Sequence, residues 1–209
     1  MHRYLQCERR QRPTACAPEV LGESDYDIVC VQESKTSEDN FLSMDHRGGL
    51  RRDLARPEIL QRCGDPGPNA DAALAGGPDD TQSRYIEAEV DGVVVGCLYQ
   101  PNGNPAPGPK FDYKLRWFDR LINYGQHLLE VGAPSVLCGD YNVVPTQIDA
   151  VVPRRWLGDA VNFPECRQAY AKMLEGGWVD GVRRIHPEKG IYTYWNFSYW
   201  GGYDRSSGL

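Results

Sequence analysis

The chain has 209 residues, 41% hydrophobic and 25% charged, which suits one soluble domain able to bury a core without disulfides or metals. A formal net charge of -6 excludes a surface that coats polyanions everywhere, yet leaves room for a local basic rim around a metal. Membrane-spanning apolar runs and CxxC pairs are absent and Met1 to Gln11 is too polar for a secretory signal, so the expectation is a cytoplasmic, non-membrane protein whose seven cysteines are small core residues.

Residues 1–22 show no period of 2 or 3.6 and are left unassigned. Ile28-Val29-Cys30-Val31 is β-branched and too short for a helix, so it predicts a buried strand that delivers Glu33 to a sheet edge. Residues 43–78 are again aperiodic and read as irregular, inside a single domain taken to span 23–209. Tyr85 to Val90 alternates, with Ile86, Ala88 and Val90 on one face and Tyr85, Glu87 and Glu89 on a face expected to tolerate change. Asp91-Gly92 supplies a hairpin turn, Val93 to Tyr99 the return strand, and Pro101 to Pro105 a loop that cannot extend the ladder.

Phe111, Leu115, Phe118 and Ile122 mark an amphipathic helix running to about Glu130 and stopped at Gly132, with Lys110, Lys114 and Arg116 clustered near its start. Ser135 to Cys138 is the next strand, and Pro164 to Leu174 a second helix ended by Gly176-Gly177. Strands, a hairpin and interleaved helices give the α/β class.

Where the strand Ser135 to Cys138 stops, Asp140 and Asn142 sit two residues apart, and an extended backbone would turn both toward one ligand. The plainer reading is a turn, since Gly, Asp and Asn are the usual strand-ending residues. Glu33 is a second acid at a strand end, where ligands of open α/β sheets collect. Two carboxylates and an amide oxygen suit Mg²⁺, a hard cation that polarises a phosphodiester, while the Cys and His spacing offers no zinc site. Asp140 would then orient or activate the attacking water.

Tyr99 and Asn102 at a third strand end are candidate donors to a phosphate, against ordinary packing. Tyr192 to Phe197 is either a core strand or an aromatic platform for a base or sugar. Arg183, Arg184 and Lys189 are phosphate contacts or scattered surface charge.

Seven motifs then fall in order along the chain: Val31-Gln32-Glu33-Ser34-Lys35, Tyr99 to Pro105, Lys110-Phe111-Asp112-Tyr113-Lys114, Gly139 to Thr146, Gly177-Trp178-Val179-Asp180, His186-Pro187 and Tyr192-Thr193-Tyr194-Trp195. Together they resemble the exonuclease III branch of the endonuclease/exonuclease/phosphatase superfamily, over Asp25 to Phe41 and Asp79 to Leu209.

The resemblance implies a four-layer sandwich of two packed mixed β-sheets flanked by helices. It implies a Mg²⁺-dependent enzyme, with Mn²⁺ as an alternative, that incises duplex DNA 5′ of abasic sites and removes nucleotides from 3′ ends as a monomer in base excision repair. By position Glu33 resembles the metal-binding glutamate, Asp140 the water-activating aspartate and Asn142 its phosphate-orienting partner. Tyr99 and Asn102 resemble the phosphate-contacting loop, Lys110 and Lys114 belong to a substrate-side motif, and Tyr194 and Trp195 resemble the aromatics of the baseless-sugar pocket.

Some family features have no counterpart. Residues 1–22 carry nothing like the opening strand with its metal-site asparagine, residues 43–78 nothing like the expected strand pair, and the sequence reaches Leu209 before the terminal Asp and Ser-Asp-His elements. The expectation is a truncated member, incomplete at both ends, with uncovered sheet edges and marginal stability. A frame-shift is one source of the two aperiodic segments, and a true insertion or a shorter lineage-specific form is the alternative. Loss of general acid/base assistance, typically about 10²-fold to 10⁴-fold, makes an inactive or merely DNA-binding remnant one alternative. A phosphatase or nuclease acting on a non-DNA phosphoester is the other.

Overall fold

The computed structural model describes residues 28, 30, 54–56, 59–61, 74, 80, 82, 84–150, 157–188, 191–193, 195–197 and 203–208. It is a mixed α/β arrangement built around a three-stranded sheet, with strands β3 (Tyr85–Val90), β4 (Val93–Tyr99) and β5 (Ser135–Asp140) in that spatial order. Two short pairs accompany it: β1 (Leu54–Arg56) with β2 (Ile59–Gln61), and β6 (Trp195–Phe197) with β7 (Tyr203–Gly208), both antiparallel. The strand pair β1/β2 lies inside the segment expected to be irregular. Three-residue strands are too short to carry a legible period, which is why alternation missed them.

Strands β3 and β4 form the predicted hairpin across Asp91-Gly92, where Asp91 (φ 49) and Gly92 (φ 77) both take the left-handed conformation that a tight hairpin turn demands. Strand β5 then runs parallel to β4, reached through helix α1 (Pro109–Val131). The helix opens on Pro109 and ends at Gly132 (φ 76), whose N–H reaches the carbonyls of Leu128 and Leu129, so the predicted stop is a left-handed glycine cap.

Its buried stripe is broader than the sequence suggested. Lys114, Trp117, Phe118, Leu121, Tyr124 and Leu128 are buried, whereas Leu115 and Ile122 lie half-buried at the border. Against this stripe pack Tyr85 and Leu98 from the sheet and Met173 from helix α2 (Pro164–Glu175). Burial of side chains this large contributes about 1.5–3 kcal/mol each, which makes the α1 face of the sheet the main source of cohesion among the described residues.

The supposedly tolerant face of β3 is therefore the one turned toward α1. Tyr85 is buried, and its hydroxyl donates to Glu87 Oε2 at 2.6 Å, as does the hydroxyl of Tyr124 at 2.8 Å. Gly96, the cross-strand partner of Glu87, makes room for that ring, because a Cβ there would stand 2.2 Å from the Tyr85 hydroxyl. A charged residue in an alternating pattern reads as solvent-facing, but two tyrosine donors satisfy this one beneath a helix.

Of the predicted strand 28–31 only Ile28 and Cys30 are described, and Glu33 lies outside the described residues. Cys30 and Cys97 are half-buried, Cys138 and Cys166 are buried, and all four are free thiols, as small core residues would be. No helix among the described residues is long and apolar enough to cross a membrane.

Candidate active site

Strand β5 ends at Asp140, in register with Tyr99 at the end of the parallel neighbour β4, so the two residues stand side by side on one sheet edge. The residue before the acid has to be glycine. Gly139 sits at φ 129, and a Cβ there would lie 1.9 Å from the Leu98 carbonyl oxygen.

Beyond Asp140 the chain does not stay extended. Asn142 adopts φ 45, and its N–H donates to Asp140 Oδ1 at 2.8 Å, closing an Asx turn. Asp140 and Asn142 are thus brought together by the turn and not by strand alternation, as the plainer reading of this stretch expects.

The Asn142 side chain is tied at both ends. Its Nδ2 donates to the Gln100 carbonyl at 2.7 Å and its Oδ1 accepts from Asn102 Nδ2 at 3.1 Å. Asn102 is in turn held by Asn104, whose Nδ2 donates to Asn102 Oδ1 at 2.7 Å and to Asp159 Oδ1 at 2.9 Å, and whose Oδ1 accepts the Ala160 N–H. The loop Pro101 to Pro105 is therefore stitched to the Asp140 turn on one side and to the 3₁₀ turn Ala160–Asn162 on the other. The carboxamide of Asn102 remains exposed and that of Asn142 half-buried, within reach of a ligand at the sheet edge.

One expected substrate contact needs revision and one lies outside the described residues. Lys114 is fully buried, and its ammonium donates to the carbonyl oxygens of Asn102 (3.0 Å) and Asn142 (2.5 Å), so it faces inward and not toward a phosphate. Lys110, one turn earlier, is exposed and keeps its candidacy. Tyr194 lies outside the described residues, and Trp195 is placed only as the first residue of β6.

Arg183 is likewise committed to the protein. Its guanidinium pairs with Asp149 Oδ1 (2.5 Å from Nη2, 2.7 Å from Nε) and donates to the carbonyls of His186, Glu188 and Ile191. Asp149 Oδ2 meanwhile accepts from the N–H and hydroxyl of Thr146, forming a capping box on the 3₁₀ turn Gln147–Asp149. Arg183 thus links the segment after the Asp140 turn to the one entering Tyr192-Thr193, and it sits in helix α3 (Gly181–Ile185), which the sequence did not announce. For the capping box, the pattern Thr146-x-x-Asp149 was the available signal.

Tyr99 is half-buried, with the Arg84 guanidinium 5.5 Å from its ring centroid and donating to its carbonyl oxygen at 3.2 Å. The cation both orients the ring and raises the positive potential at the end of β4.

Hard oxygen donors mark this edge: a half-buried carboxylate at Asp140 and the carboxamide oxygen of Asn142, while Asn102 Oδ1 is taken up by Asn104. That donor chemistry fits a divalent cation such as Mg²⁺ and not a soft metal.

Residues 8–208 match the Endonuclease/Exonuclease/phosphatase family. The chain belongs to that family. The match takes in residues 8–22 and 43–78, where the motifs had no counterpart. Within the family the chain is 28% identical over 204 residues to the exodeoxyribonuclease of Bacillus subtilis, covering 90% of this chain and 75% of that one. Among solved structures it is similar to an AP endonuclease from Archaeoglobus fulgidus (TM-score 0.67, 30% identity, 92% of this chain and 79% of that one). It is also similar to the 3′ phosphatase NExo from Neisseria bound to a product DNA hairpin (TM-score 0.54, 32% identity), covering 63% of this chain and 52% of that one. The chain thus spans about half of the Neisseria protein. These relatives agree with the exonuclease III branch indicated by the motifs.

Proposed function

We propose that this chain is a divalent-metal-dependent DNA-repair nuclease, hydrolysing phosphodiester bonds in duplex DNA 5′ of abasic sites and at 3′ ends. The observation that carries the reading is the Asp140 turn, where a strand-end carboxylate, the Asn142 carboxamide and the Asn102 carboxamide are held together by hydrogen bonds beside Tyr99. Asp140 orients and deprotonates the attacking water. Asn142 and Asn102 present amide groups to the scissile phosphate, and Tyr99 adds a hydroxyl. Preorganised amides of this kind stabilise charge that develops in the transition state without reorganising as it forms.

Glu33 would hold Mg²⁺, or Mn²⁺ in its place, beside this edge, and the bound ion would supply polarisation of the phosphodiester and charge neutralisation at the leaving oxygen. Exposed Lys110 is assigned to the DNA backbone, and Tyr194 and Trp195 are assigned, by their motif alone, to recognition of the baseless sugar. We assign the chain a cytoplasmic, monomeric state.

The sheet face opposite α1 supports a four-layer sandwich. It carries Ile86, Ala88, Val93, Val95, Cys97 and Cys138, an apolar surface suited to a second sheet.

The deciding experiment compares wild type with Asp140→Asn and Glu33→Ala on an end-labelled duplex with one abasic-site analogue, with Mg²⁺ and with EDTA. Parallel arms use a 3′-phosphate end, single-stranded RNA and inositol phosphates. Incision that needs Mg²⁺ and is abolished by both substitutions is expected. Unchanged incision by the Asp140 variant, or cleavage of a non-DNA substrate alone, overturns the reading. The 3′-phosphate arm tests the activity named for the Neisseria relative.

A further inference from the structure

We propose that Lys114 is a positioning residue, whose buried ammonium clamps the main chain of Asn102 to that of Asn142 and thereby sets where the Asn142 carboxamide stands. Three observations carry it.

The first is how fully the turn is pinned. The Asn142 N–H bonds Asp140 Oδ1, its Nδ2 the Gln100 carbonyl, its Oδ1 the Asn102 carboxamide, and its own carbonyl oxygen the Lys114 ammonium. Asn142 holds the left-handed backbone (φ 45) that costs an L residue roughly 1–2 kcal/mol, and bonds on every polar group offset that cost. Lys114 alone among these partners comes from helix α1, so it transmits the rigid helix to the turn.

The second is that the site is built around the lysine stem. Gly103 sits at φ 91, and a Cβ there would stand 2.7 Å from Lys114 Cδ and 3.2 Å from Ala160 Cβ. A glycine in the middle of the Pro101 to Pro105 loop opens the passage through which the aliphatic stem reaches both carbonyls.

The third is electrostatic. Burial pulls the Lys114 ammonium below its ordinary range, opposed by Cys166, Asp140 and Asp159. A fully buried ammonium is tolerated only where acceptors meet it, and here the acceptors belong to the two asparagines of the candidate site.

A phosphate ligand and a clamp predict different results. Each lysine–phosphate contact adds about 0.9 to the slope of log affinity against log salt, whereas an internal clamp adds nothing. Lys114→Met and Lys114→Arg are compared with wild type for incision of the abasic duplex, for the salt dependence of duplex binding in EDTA, and for amide hydrogen exchange. For Lys114→Met we expect kcat to fall at least tenfold with KM nearly unchanged and the salt slope kept. Exchange should accelerate at Asn142 and Val143 while β3 and β4 are unaffected, and Lys114→Arg, which retains two donors, should recover part of kcat.

A salt slope reduced by about one at unchanged kcat would make Lys114 a phosphate contact. Unchanged exchange together with unchanged kcat would leave it a space-filling residue. Should Lys114→Met not fold, ¹⁵N-lysine-labelled wild type decides. A protected ammonium resonance unmoved by added duplex DNA supports the clamp, and one exchanging at solvent rates overturns it. The cleavage arm rests on the nuclease reading. If wild type cleaves no DNA that reading fails alone, because exchange and the ammonium resonance still decide Lys114.

Discussion

Asn102 Nδ2 donates to Asn142 Oδ1 at 3.1 Å, joining the loop after β4 to the turn after β5 across forty positions of sequence. This bond fixes which face of each carboxamide is presented. Asn142 offers its amide hydrogens on the side away from Asn102, and a rotation that exchanged oxygen and nitrogen would break its bonds to both Asn102 and the Gln100 carbonyl.

The pair should therefore behave as a unit. Asn142→Ala is expected to lower single-turnover incision by about 10²-fold to 10³-fold, as loss of a preorganised donor does, and Asn102→Ala by roughly tenfold. The double variant should fall well short of the product of the two losses, a coupling read from a double-mutant cycle. Strict additivity would mean that the contact does not order the site.

Arg183→Lys tests the link between the Asp140 turn and the aromatic segment. Lysine cannot reproduce a fork that pairs with Asp149 and reaches three carbonyls. The expected cost is about 2 kcal/mol, since bonds to charged groups contribute on that scale, visible as a lower urea midpoint. The salt slope of duplex binding should not change, because the guanidinium is already occupied. A reduced slope at full stability would return Arg183 to the phosphate contacts.

Tyr85→Phe should destabilise the chain by about 1–2 kcal/mol, because Glu87 then keeps only the Tyr124 hydroxyl beneath α1. Equilibrium urea unfolding measures it. A change of only a few tenths would restore the view that this strand face tolerates substitution.

Burial pushes the Cys138 thiol up to about 12 from an ordinary 9.0. A folded pKa above the unfolded one contributes stability that is complete below pH 9.0 and is lost as pH rises through about 12. Tyr85 is raised as well, by burial first and by its bond to Glu87, so the alkaline loss is shared. Cys138→Ser should lower the melting temperature at neutral pH, leave incision unchanged, and flatten the decline of melting temperature from about pH 8 to about pH 11. An equally steep decline in the variant would assign the whole alkaline transition to other groups.

The sequence by itself determined the elements whose signals are local. The hairpin Tyr85–Val90 and Val93–Tyr99 was legible from alternation around Asp-Gly, and the stop of α1 at Gly132 and the span of α2 from Pro164 followed from capping chemistry, which depends on a few adjacent residues. Motif order identified the family and singled out Asp140, Asn142, Asn102 and Tyr99, because those residues sit at strand ends that the apolar runs mark. Only the tertiary structure decided which face of β3 meets α1, that Lys114 points inward, that Arg183 is spent on Asp149 and three carbonyls, and that a left-handed turn and not strand alternation joins Asp140 to Asn142. The turn is local, and strand alternation missed it because Asn142 takes a left-handed backbone; the other three share one physical reason. A long or charged side chain carries the same periodic signal whether water or a distant carbonyl satisfies it, and the satisfying partner, tens of residues away, is set by packing and not by local pattern.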